Sequence, residues 1–121
     1  MNVSLSEILS RASNLSANIL QNPSVRQRVL PPIINQTDLD HYVDLIASIN
    51  GNSRKNIQKI MAYGLFKVNV EREGNQLGEE NPQVLEKAAF MIWRKCDHNE
   101  KTVYSLAKKN LRERLRIYGI D

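Results

Sequence analysis

Residues 81–93 read NPQVLEKAAFMIW. Val84, Leu85, Ala88, Ala89, Ile92 and Trp93 recur at intervals of three and four, the repeat that stacks side chains on one face of an α-helix. Asn81 offers a side-chain oxygen to the first amides, and Pro82 takes the first helical position, where its missing N–H costs nothing. This stretch predicts a buried amphipathic helix, and the chain around it repeats the same grammar.

Upstream, Leu5, Ile8, Leu9, Ala12, Leu15 and Ile19 share one face of a helix over 4–20, opened by a Ser4/Glu7 capping box and stopped at Pro23. Residues 25–35, containing Pro31-Pro32, form a connection with room for a short helical turn. A second helix starts at Thr37 with Leu39, Tyr42, Val43, Ile46 and Ile49 inward and Gly51 as its stop. Ser53 caps a third, with Ile57, Ile60 and Met61 inward and Gly64 as terminator. Residues 65–72 alternate at Phe66, Val68 and Val70, but a lone short strand has no partner, so a single helical turn is expected there. Gly74–Gly78 reads as a loop and Asp97–Glu100 as a polar break. A last helix begins near Thr102 with Val103, Leu106, Ala107, Leu111, Leu115 and Tyr118. Asn110 is its only weak breaker. The fold class is all-α.

Bulk properties agree. The 121 residues suit one domain, with five Gly, four Pro and no long period-two alternation. The formal charge is +4 and the pI about 9.4, which permits attraction to acidic partners without requiring it. A single cysteine, Cys96, excludes an internal disulfide, no run approaches a membrane span, and no basic-then-apolar leader opens the chain. A cytoplasmic location is expected, and the glycosylation sequons at Asn2, Asn14 and Asn35 read as chance.

Catalytic constellations are missing from the pattern. His41 sits among Asp38, Asp40 and Asp44, a charge cluster of a helix surface. Cys96-Asp97-His98 offers two ligands where a closed zinc site needs four. No Gly-Lys-Ser/Thr follows Gly74 or Gly78. Glu79-Glu80, just before a helix, complements its positive end. Neither enzymatic activity nor a cofactor is expected.

The order of apolar positions resembles the death-domain family, in particular its Fas-associated adaptor class. Asp38-Leu39, Gly51, Ile57 and Met61, Leu65, Val70, Phe90 and Ile92 before Trp93, then Thr102-Val103 and Leu106 follow the family's anchors. The pattern spans residues 36–120. It departs at Arg54, where an aromatic is usual, at Leu111, one residue late, and in having no Gly or Pro between the last two helices. Trp93, Ile57, Met61 and Leu106 are expected in the core. The resemblance implies a six-helix antiparallel Greek-key bundle over 36–121. Residues 1–35 are then a helical extension and linker, either an extra packing element or a separate contact site.

It also implies a non-catalytic adaptor in apoptotic or innate-immune signalling, working by homotypic oligomerisation with other death domains or itself through charged patches. The residues placed for this are Arg54, Lys55 and Lys59, the acidic edge Asp38, Asp40 and Asp44, and Lys108, Lys109 and Arg112 in the basic C-terminal part. Glu71, Glu73, Glu79 and Glu80 form a further acidic cluster. Over residues 94–116 the Lys and Arg exceed the acids by five. That excess also fits a solvated helix face, or a small helical nucleic-acid-binding regulator whose cations neutralise phosphates. A purely structural oligomeric subunit is a third possibility.

Overall fold

The computed structural model describes residues 3–34, 37, 39–42 and 62–117; every regular element among them is helical, with no strand. The helices are α1 (Leu5–Gln21), α2 (Pro23–Val29), α3 (Ala62–Gln76), α4 (Pro82–Lys95) and α5 (His98–Ile117), with a helical segment at 39–42. Local sequence explains their ends. Ser4 Oγ accepts the Glu7 amide at 3.2 Å to open α1. Asn22 closes α1 and, through Oδ1, accepts the amides of Ser24 and Val25 at 3.0 and 3.3 Å to open α2. Asn81 Oδ1 accepts the Gln83 amide at 2.9 Å, with Pro82 first in α4.

α3 is the hub: it packs against α1, α2, α4 and α5, while α1 makes its most extensive contact with α4. Its inward face carries Leu65, Phe66, Asn69, Val70, Glu73 and Gly74, a helical repeat with two polar members. Phe66 is fully buried at the centre of a ring cluster, with Trp93 at 5.0 Å and Tyr104 at 5.4 Å and edge-on. Trp93 itself is only partly buried, packed against the core rather than within it. Burying a side chain such as Phe66 stabilises by about 1.5–3 kcal/mol.

Asn69 is satisfied across elements, and Glu73 only in part, since its Oε2 is buried without a hydrogen-bond partner among the described residues. Tyr42 Oη donates to Asn69 Oδ1 at 3.0 Å, and Asn69 Nδ2 donates to Tyr104 Oη at 2.8 Å. Tyr104 Oη in turn donates to the Val29 carbonyl. Burial pushes the Tyr104 phenol well above the ordinary tyrosine range, so it remains a donor. Glu73, almost fully buried, pairs with Arg28 of α2. The network ties the 39–42 segment, α2, α3 and α5 to one another.

Several expectations change. Residues 65–72 belong to a long helix, not a single turn, because Asn69 and Glu73 sit on its buried face and break the apolar stripe. Gly64 lies inside α3, as does Gly74. The helix ends at Gly78, whose φ of +97° is the left-handed region. There Gly78 N donates to Asn75 O and Glu79 N to Gly74 O, at 3.1 and 2.9 Å, a Schellman ending. Asp97–Glu100 is no break: the Glu100 amide donates to Asp97 Oδ1 and the Asp97 amide to Glu100 Oε1, at 2.8 and 3.1 Å, a reciprocal cap that starts α5 at His98. α5 runs unbroken through Asn110. Its buried line is Tyr104, Ala107 and Leu111, so Leu106 is turned outward and 56% exposed, not in the core. Gly51, Ile57 and Met61 lie outside the described residues. α1 shares its core with α3 and α4, which makes it a packing element.

Gly74 is where α1 and α4 close on α3. A Cβ there would collide with Leu85 Cδ2 and lie 3.2 Å from Leu15 Cδ2, both on buried side chains. Gly74→Ala is expected to lose about 1–3 kcal/mol to overpacking, offset in part by about 1 kcal/mol of helix propensity. Gly64→Ala, where nothing lies within 4 Å, gains about 0.4–1 kcal/mol. Urea unfolding of both variants checks this; equal stabilisation at the two sites would refute close approach at Gly74. In a Leu85→Ala background the Gly74→Ala loss shrinks.

Candidate functional site

The surface is best read through its ion pairs. Glu79 meets Arg11 of α1, which also reaches Glu7 at 3.5 Å. Glu73 meets Arg28, and Glu100 meets Arg26 at 3.2 Å. Lys67 stands 3.8 Å from Glu71 and 3.6 Å from Glu86, and Arg114 pairs with Asp40. Apart from Arg28–Glu73, whose carboxylate is buried, such pairs at the surface are each worth about 0–1 kcal/mol. Their larger effect is on the surface field, because they neutralise most of the acids among the described residues.

The basic residues are distributed differently. Among the described residues, Lys87, Arg94 and Lys95 of α4 and Lys108 and Lys109 of α5 have no ion-pair partner. Lys87 Nζ and Arg94 Cζ lie 5.5 and 5.6 Å from the ring centre of Phe90, which is 43% exposed. Lys101 Nζ lies 5.4 Å from the Trp93 ring. Among the described residues the unpaired cations therefore outnumber the unpaired acids Glu80, Asp97 and Glu113, and Lys87 and Arg94 lie beside the exposed Phe90.

The sequence-predicted residues divide unevenly. Lys109 and Arg112 are exposed and Lys108 is half-buried on α5, one turn apart, so these three do come together. Asp40 is exposed but held by Arg114, so it is not a free acidic edge. Arg54, Lys55, Lys59, Asp38 and Asp44 lie outside the described residues. The proposed acidic cluster is dispersed: Glu73 is buried against Arg28 and Glu79 is tied to Arg11, leaving Glu71 beside Lys67 and Glu80 exposed. Sequence reasoning passed over Lys87, and it took Phe90 as an apolar anchor and Arg94 as part of the basic C-terminal stretch without joining the three into one surface. Their spacing of three and four on the polar side of α4 was the available signal.

Other candidate chemistry is muted. Cys96 caps α4 and its Sγ donates to the Ile92 carbonyl at 3.3 Å; burial, above all, pushes its thiol up to about 11, away from the reactive thiolate. His98 is exposed at the first position of α5. Among the described residues no three His, Cys, Asp or Glu side chains are placed to hold a metal ion, and no helix is long and apolar enough to cross a membrane. No family model, curated protein or solved structure matches the chain.

Burial acts to raise the Glu79 carboxyl, but hydrogen bonds from Arg11 and the Asn81 amide outweigh it and hold it below the usual 4.5. A depressed carboxylate contributes stability that is present above the unfolded value and lost as pH falls through the folded one. The stability difference between wild type and Glu79→Gln, from urea midpoints, is expected to be largest near about pH 7 and to shrink toward about pH 3. A difference independent of pH would show that the carboxylate is not paired.

Proposed function

We propose that the protein is a non-catalytic helical interaction module that docks an acidic surface of another protein. One observation carries this reading: among the described residues most acids are held in internal ion pairs while Lys87, Arg94, Lys95, Lys108 and Lys109 are not. Unpartnered cations steer and select an oppositely charged partner more than they add raw affinity. The adaptor role implied by the death-domain resemblance is retained in this coarser form, with the Greek-key bundle as its finer expectation. Homotypic pairing would draw on Glu80, Asp97 and Glu113, the acids without an ion pair among the described residues, since Asp40, Glu73 and Glu79 are engaged.

Phosphate binding is the competing reading, because the same cations would neutralise nucleic acid. Two features favour protein. Glu86 and Glu113 interleave with the bases, and the exposed large apolar groups Leu5, Phe90 and Leu106 have no use in a phosphate contact. The test uses a labelled glutamate-rich peptide and a generic DNA duplex, each titrated by fluorescence anisotropy. The peptide is expected to bind and to lose at least about tenfold in affinity when the unpaired cations of α4 (Lys87→Glu/Arg94→Glu/Lys95→Glu), of α5 (Lys108→Glu/Lys109→Glu), or of both are reversed. Tight duplex binding that falls steeply with salt, with no peptide binding, would overturn the proposal. Light scattering that shows concentration-dependent assembly of the protein alone would restore the homotypic reading.

A further inference from the structure

We infer that the groove between α1 and α4 receives an amphipathic α-helix with acidic flanks from a partner protein. The groove, about 550 Å³ and open to solvent, is lined by Leu5 and Ile8 of α1, Tyr63 of α3, and Lys87 and Phe90 of α4. Leu5 is 71% exposed, and Phe90 faces it from the other wall. Scattered single apolar residues need no explanation, but these converge on one concavity.

The chemistry of the rim defines the occupant. Lys87 and Arg94 flank the Phe90 ring and have no carboxylate among the described residues. Glu86, the acid in the lining, is 3.6 Å from Lys67, which it shares with Glu71, so its charge is offset in part. The groove thus pairs an apolar floor with a positive rim, complementary to an apolar stripe bordered by Asp or Glu. Its walls are helix surfaces, and the described residues present no sheet edge onto which a strand could add, so the helix-in-groove mode applies. Apolar residues at i, i+3 or i+4, and i+7 on the partner would reach Leu5, Tyr63 and Phe90.

This inference rests on the proposed function in requiring an acidic protein partner, and it assigns that partner a place. The probe is a displayed library of helical peptides of about 18 residues (~27 Å long), with Leu fixed at the stripe positions and the flanks randomised. Selection on the whole protein is expected to enrich Glu and Asp in the flanks. The selected peptides should quench or enhance Trp93, the sole tryptophan, whose ring is 5.7 Å from that of Tyr63. Their affinity should fall at least about tenfold on Phe90→Asp and on Lys87→Glu, and be little changed on Lys108→Glu/Lys109→Glu. Circular dichroism confirms that the Phe90 variant, altered at an exposed position, is folded; Phe90→Ala serves if it is not.

Peptides indifferent to both α4 substitutions, or no enrichment at all, overturn the inference. So does sedimentation with phosphatidylserine vesicles in place of peptide binding, or a dimer abolished by Phe90→Asp, which would make a lipid surface or a second copy the occupant. Acidic peptides lost only on Lys108→Glu/Lys109→Glu would sink the groove and leave the proposed function standing. No binding of any acidic probe would end both.

Discussion

Three helices meet where α3 has no side chain. Gly74 brings Leu85 of α4 and Leu15 of α1 against the α3 backbone from two directions. The cost of a glycine in a helix, about 1 kcal/mol, is offset by the apolar surface that this approach lets α1 and α4 bury. Because α1 and α4 are held together here, the groove beside them has fixed walls. The groove is thus a consequence of how closely two helices can approach a third.

Buried polarity on α3 adds specificity to that packing. Asn69 and Glu73, one turn apart on its inward face, each reach a different neighbour: Asn69 links Tyr42 and Tyr104, and Glu73 engages Arg28. Leaving such a group unpaired costs about 1–3 kcal/mol, so a slipped α3 is penalised beyond its lost apolar contacts. The same economy shapes the exterior. Acids next to arginines at helix junctions, as in Arg11–Glu79 and Arg26–Glu100, are neutralised in place. Cations on the outward faces of α4 and α5 are left exposed, and the positive field follows from that imbalance rather than from net charge alone.

Much of this was legible in residue order. The stripe from Val84 to Ile92, the Asn81-Pro82 start and the Ser4 cap reappear in the structure because capping and periodicity are local effects. The cationic trio on α5 was also legible, since helical spacing alone places Lys108, Lys109 and Arg112 together. Leu106 misled because Tyr104 was not counted with the apolar stripe, and moving the stripe by one residue rotates it by about 100°. The length of α3 was hidden because two of its buried positions are polar, which no hydrophobic pattern can register.

The sequence by itself determined that the chain is helical, where α1 and α4 begin, and that its C-terminal part is rich in bases; each depends on neighbours within a few residues. Tertiary structure alone decided that Glu73 and Asn69 are buried, that Gly74 is a contact point instead of a loop, and which charges remain unneutralised. Those outcomes depend on partners such as Arg28, Tyr104 and Leu15, tens of residues away along the chain. Their side chains meet only once helices have packed, so no local pattern carries the information.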